Sequence, residues 1–139
     1  MASRPPESGM EQGPFPEVHR ILADADLDGL CAAAILQRAL PETEVVFAHP
    51  ALVRSGHLDD VIDRGTVIVD LPFHPACGWY VDHHLTNRPD EDAAAAFEAA
   101  GGRLDWAAEP SAARVAHNLV APFSDLQHPV SYTHLRAHE

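Results

Sequence analysis

The sequence predicts an α/β fold, a mainly parallel sheet flanked by helices on both faces, Rossmann-like and incomplete at its C-terminal end. Three observations predict it. Short β-branched runs alternate with alanine-rich helical stretches, Gly and Pro mark the turns between them, and acidic residues stand where three of the runs end. The 139 residues suit one domain, and 46% hydrophobic content supplies an ordinary core.

Met1 to Pro16 is polar and proline-rich with no signal-peptide core, and is expected to be a disordered leader. His19 to Ala23 (HRILA) reads as a short buried strand, followed by the acidic cluster Asp24 to Asp28 and a turn at Gly29. Leu30 to Leu40 has no internal Gly or Pro and is stopped by Pro41, which predicts a helix packed on the sheet. Thr43 to Ala48 and Thr66 to Asp70 are β-branched strands, with weak helical spacing around Leu58 to Ile62 between them. Trp79 to Asp82 is a fourth strand, Glu91 to Ala100 a helix closed by Gly101-Gly102, and Ser111 to Val120 a helix behind Pro110. Val130 to Glu139 (VSYTHLRAHE) fits no element and resembles a translated sequencing adapter, so His134 and His138 are kept out of any ligand set.

Nine basic against 21 acidic residues give a formal charge of −12, a field that repels phosphate backbones. A stable duplex nucleic-acid partner is therefore not expected, and a nucleic-acid substrate would need cations or a local patch. Cys31 and Cys77 form no CxxC pair, which argues against a zinc knuckle or a disulfide framework and favours a cytoplasmic home. No apolar run reaches the roughly 20 residues of a membrane span. Trp79 and Trp106 read as core or domain-edge aromatics, and Arg88 and Arg103 as surface charges.

Asp24, Asp26 and Asp28 alternate along ADADLDG, so an extended backbone would put all three carboxylates on one side, where they repel unless a cation neutralises them. An isolated acidic run is more often a solvated turn. Here an apolar strand leads in and an apolar helix leads out, which places the carboxylates at the carboxyl edge of a parallel sheet, where open α/β folds bind ligands. A calcium loop of the EF-hand type fails because Ile35 stands at its twelfth position, where a bidentate Glu is required. A haloacid-dehalogenase-type nucleophile and acid would fit D-x-D but leaves Asp82 unexplained. Asp70 ends the strand in VIVDLP, and Asp82-His83-His84 follows the strand WYV, adding two imidazoles suited to Mn²⁺, Fe²⁺ or Zn²⁺ and a carboxylate to orient them.

DADLDG, VIVDLP and VDHHLTN, in this order and spacing, resemble the first three motifs of the DHH phosphoesterase family, which includes RecJ-like exonucleases, nanoRNases, cyclic-dinucleotide phosphodiesterases and family II pyrophosphatases. The resemblance runs from about His19 to Val120 and takes in EPSAARVAHNLV as the helix behind the site. It implies residues 1–16 as leader, 17–129 as a partial DHH domain and 130–139 as a non-native tail. It implies that Asp24 and Asp26 hold one metal, Asp28 and His83 a second, and that Asp70 bridges them. Asp82 would orient the histidines, and His84 would face the scissile phosphate as a catalytic group. Many members have histidine where Asp24 stands; His19 reads as a strand-start residue. The fourth motif, an aspartate expected after PFSDL and beyond Asp125, and the C-terminal substrate domain do not follow.

The implied function is hydrolysis of phosphodiester or phosphoanhydride bonds, in nucleotides or short oligonucleotides, through two divalent ions, Mn²⁺ first and Mg²⁺ or Co²⁺ next. The competing reading is a non-catalytic metal- or nucleotide-binding module or an inactive fragment, which would bind without turnover. Replacing Asp70 or Asp28 by Ala is expected to abolish hydrolysis in the full-length enzyme and leave the sheet folded.

Overall fold

The computed structural model describes residues 13–127. Five strands, β1 (Arg20–Asp24), β2 (Glu44–Ala48), β3 (Thr66–Val69), β4 (Trp79–Asp82) and β5 (Arg103–Trp106), form one sheet in the order β2-β1-β3-β4-β5. Every neighbouring pair is parallel. The helices are α1 (Leu27–Ala39), α2 (Pro50–Arg54), α3 (Glu91–Ala99) and α4 (Ala112–Gln127), with one 3₁₀ turn at Leu85–Asn87.

Successive strand residues point to opposite faces, so the central strands feed two cores. Ile21, Ala23, Val67, Val69, Trp79 and Val81 pack under α1 and α4 against Ala32, Leu36, Val115 and Ala116. Leu22, Ile68 and Tyr80 point the other way, against Val53, Ile62, Leu71, Cys77 and Phe97. The near-continuous apolar strands follow from burial on both sides. No helix crosses over between β3 and β4; Phe73 fills that place, edge-on to Tyr80 at 5.2 Å and to Phe97 at 5.0 Å.

Several elements differ from expectation for local reasons. Helix α1 begins at Leu27, three residues before the predicted Leu30, because Asp26 caps it by accepting from the Gly29 N–H at 2.8 Å. The extended arrangement expected for Asp24, Asp26 and Asp28 is therefore not formed, since Asp28 lies in the first helical turn. The helix expected over Leu58 to Ile62 is a series of turns. The helical residues are Pro50–Arg54, where Pro50 opens the first turn and His49 Nδ1 accepts from the Ala51 N–H at 3.1 Å. Gly56, at φ 85°, follows the end of that helix.

Strand β5 is unforeseen, as its four residues, RLDW, are only half-buried and mix polarities. Helix α4 continues through Pro122, and its Phe123 meets Phe15 edge-on at 5.3 Å. Phe15 also stacks on Trp79 at 5.6 Å, so this residue of the expected leader belongs to the core. The rest of the leader, through Gln12, and the expected non-native tail lie outside the described residues. Among the described residues no helix is long and apolar enough to cross a membrane.

Candidate metal centre

Strands β1, β3 and β4 are neighbours and parallel, so their carboxyl ends open on one edge. Asp24 closes β1, Asp70 follows β3, and Asp82 closes β4 with His83 and His84 next in the chain. Asp26 and Asp28 reach the same edge from the start of α1. The chain leaves β1 towards β2 on one side and enters β3 on the other, which opens the crevice where such sheets place their sites.

Asp70 is the centre of the cluster. Its backbone turns out of the strand at φ 64°, a left-handed conformation costly for a residue with a Cβ and better tolerated by Asp than by most. The residue is 2% exposed, and neither carboxylate oxygen has a hydrogen-bond partner. Burial pushes its pKa up to about 9, helped by the charges of Asp28, Asp26 and Asp82. Burial, then the charge of Asp26, also raises Asp24. A buried carboxylate without donors needs either a proton or a cation. Ligand atoms of Asp24, Asp26 and Asp70 lie within 4.8 Å of one another, as do those of Asp70, Asp82, His83 and His84. Asp70 is shared by both groups, and the all-oxygen and mixed oxygen/nitrogen donor sets fit hard to borderline divalent ions.

The two histidines are oriented differently. His83 Nδ1 faces the Glu109 carbonyl at 3.1 Å, and since a carbonyl only accepts, the proton sits on Nδ1. Nε2 is thereby turned towards Asp28 Oδ2, at 3.4 Å, and Asp70 Oδ1, at 3.7 Å. His84 Nδ1 lies 3.1 Å from Asp82 Oδ1 and 3.7 Å from Asp70 Oδ1, and its side chain is 45% exposed. Asp82 Oδ2 accepts from Asn87 Nδ2 at 3.0 Å and shares the Tyr80 hydroxyl proton, also at 3.0 Å, with the Leu71 carbonyl at 2.7 Å. Burial, reinforced by Asp82, holds the Tyr80 hydroxyl well above its ordinary pKa and keeps it a donor. Of the two histidines expected to be oriented by Asp82, only His84 makes that contact; His83 is held by the Glu109 backbone.

Asp28 has a second employment. Its Oδ2 accepts from the Ala112 N–H and its Oδ1 from the Ala113 N–H, both at 2.9 Å, so it caps α4 while facing His83. Each oxygen has lone-pair capacity left for a cation.

All seven expected site residues thus meet at one edge. Missed in the sequence were Glu109, which acts through a backbone carbonyl that no side-chain pattern reveals, and Tyr80 and Asn87, which hold Asp82. Asn87 sits in the DHHLTN motif, and its nearness to Asp82 was the available signal. His49, just after β2 at the same carboxyl edge, partly offsets the rise of the Asp24 pKa and is recognisable by that position.

No protein-family model matches the chain, and no curated protein matches it. Among solved structures it is similar to a pGpG-specific phosphodiesterase, PggH, from Vibrio cholerae, with a TM-score of 0.53 and 23% sequence identity. The likeness covers 78% of this chain and 33% of that one, so the chain spans about a third of that protein's length. At that identity the likeness is one of fold.

Proposed function

We propose that this chain carries the metal centre of a DHH-type phosphoesterase that hydrolyses phosphodiester or phosphoanhydride bonds of nucleotides or short oligonucleotides. The observation that carries the reading is Asp70, a buried carboxylate without hydrogen-bond partners, shared by two ligand groups. Asp24, Asp26 and Asp70 would hold one divalent ion, and Asp70, His83 and Asp28 the other, with Mn²⁺ the expected metal. When bound, such a pair activates water and neutralises charge on the phosphate oxygens.

The protein's own groups prepare that chemistry. The Glu109 carbonyl holds the Nδ1 proton of His83 and aims Nε2 at the ion site, and Asp82, itself fixed by Tyr80 and Asn87, holds the Nδ1 proton of His84. A proton on Nε2 of His84 as well would let the ring donate to a non-bridging oxygen of the substrate and steady its developing charge. The fold similarity to a pGpG-specific phosphodiesterase makes a dinucleotide the first substrate to try.

The test is Mn²⁺-dependent release of mononucleotides from 5′-phosphorylated dinucleotides by the wild type, His84→Ala and Asp70→Asn. Turnover by the wild type, reduced about 10²- to 10³-fold in His84→Ala and absent in Asp70→Asn, is expected. Tight Mn²⁺ binding with no turnover on any phosphate ester would identify a binding module instead.

A further inference from the structure

We propose that Arg88, held on the face of Trp106 beside His84, binds a second phosphate of the substrate, adjacent to the one that is cut. The proposal rests on the phosphoesterase reading and names a recognition group within it.

Trp106 is the last residue of β5 and pairs in register with Asp82. Its indole N–H donates to the His84 carbonyl at 2.8 Å, which fixes the ring against the backbone of the histidine. The 3₁₀ turn after His84 brings the chain back over that ring: the Asn87 N–H bonds to the His84 carbonyl at 3.1 Å and the Arg88 N–H to the Leu85 carbonyl at 3.2 Å. The Arg88 guanidinium then lies 4.5 Å from the centroid of Trp106. Histidine, indole and guanidinium are one connected unit on the rim of the metal centre.

Every basic residue of this chain is an arginine, against a formal charge of −12. Arg20 is spent on Glu44 and Asp63, and Arg103 on Asp105. Arg88 is exposed and, among the described residues, has no carboxylate within ion-pair distance. Arg38, Arg54, Arg64 and Arg114 likewise form no ion pair among the described residues, and Arg88 differs from them by following the Asp82-His83-His84 segment at the rim of the site. A guanidinium lying on an aromatic face keeps its five N–H donors in a plane away from the ring, a fork that matches two phosphate oxygens. Stacking also removes part of the rotamer entropy that a free arginine loses on binding.

The experiment compares three dinucleotides whose internucleotide linkage is a non-hydrolysable phosphonate: one without a terminal phosphate, one with a 5′-phosphate and one with a 3′-phosphate. Binding to the Mn²⁺-loaded chain is measured by calorimetry for the wild type, Arg88→Gln, Arg88→Lys and Trp106→Phe. One terminal phosphate should tighten wild-type binding about tenfold or more, the scale of a lost charged hydrogen-bond pair. Arg88→Gln should erase that gain with an unchanged Tm, because Arg88 is exposed. Arg88→Lys, with charge but no fork, should keep part of it, and Trp106→Phe should weaken it. Equal wild-type affinity for all three ligands, or a gain that persists in Arg88→Gln, would overturn the proposal. Failure of the phosphoesterase reading looks different: no Mn²⁺-dependent cleavage of the natural dinucleotides, with the Arg88-dependent gain intact.

Discussion

A single aspartate carries much of the physics of this protein. Without a cation, the buried Asp70 keeps its proton up to about pH 9, whereas in the unfolded chain it loses it near pH 4. Between those values the unfolded state binds fewer protons than the folded one, so the metal-free chain loses stability as pH rises and levels off above about pH 9. Asp70→Asn keeps the tolerance for positive φ and removes the charge. Chemical denaturation of the metal-free variant should therefore show a flatter pH profile and, near pH 8, a gain of several kcal/mol over the wild type. Mn²⁺ should raise the wild-type Tm and leave that of Asp70→Asn where it was. A wild type more stable than the variant in EDTA at pH 8 would show that Asp70 serves the fold and not an ion.

At the scale of elements, α1 and its glycine set the position of the acidic cluster. A Cβ on Gly29 would stand 2.0 Å from the Asp24 carbonyl oxygen, which is backbone and cannot yield. Gly29→Ala should push α1 from the end of β1, cost about 2 kcal/mol or more in urea denaturation and weaken Mn²⁺ binding as well. Asp28→Ala is expected to act on the fold too, because it strips the cap from Ala112 and Ala113. A loss of about 1 kcal/mol with EDTA present is the mark of that cap, and no loss would assign Asp28 wholly to the metal. The cap adds a structural share to a residue for which the motif implied a metal role alone. The apolar runs of β1, β3 and β4 were legible because burial on both faces leaves chiefly apolar side chains there, and the half-exposed edge strand β2 was legible by its β-branched Val45 and Val46. Strand β5 was not, since an edge strand of four half-buried residues carries no periodicity to read. The start of α1 was misplaced because Asp26 takes the role of a cap, and a cap and a metal ligand look alike in a sequence.

The whole molecule is a sheet buried on both sides, and its cysteines report on that burial. Cys77 lies in the core under β3 and β4 with its thiol pKa pushed up to about 12 by burial, while Cys31 is exposed on α1. A maleimide or disulfide reagent at pH 8 should modify one thiol quickly and the second only at the rate of global unfolding. Prompt modification of both would place Cys77 at the surface. The convergence of seven side chains was legible because three strand ends carried acidic or histidine residues, and parallel topology brings strand ends together. Their supporting groups were hidden, since Glu109 works through its main chain and Tyr80 looks like any core aromatic. The bonds from Asp28 to Ala112 and Ala113 join residues 84 and 85 positions apart. Closing so long a loop is entropically slow and comes late in folding. Affinity for an ion should therefore appear only in the last kinetic phase of refolding, after the sheet has acquired β4 and α4 has docked, so that a nascent chain emerging from the ribosome cannot capture metal before its fold is finished.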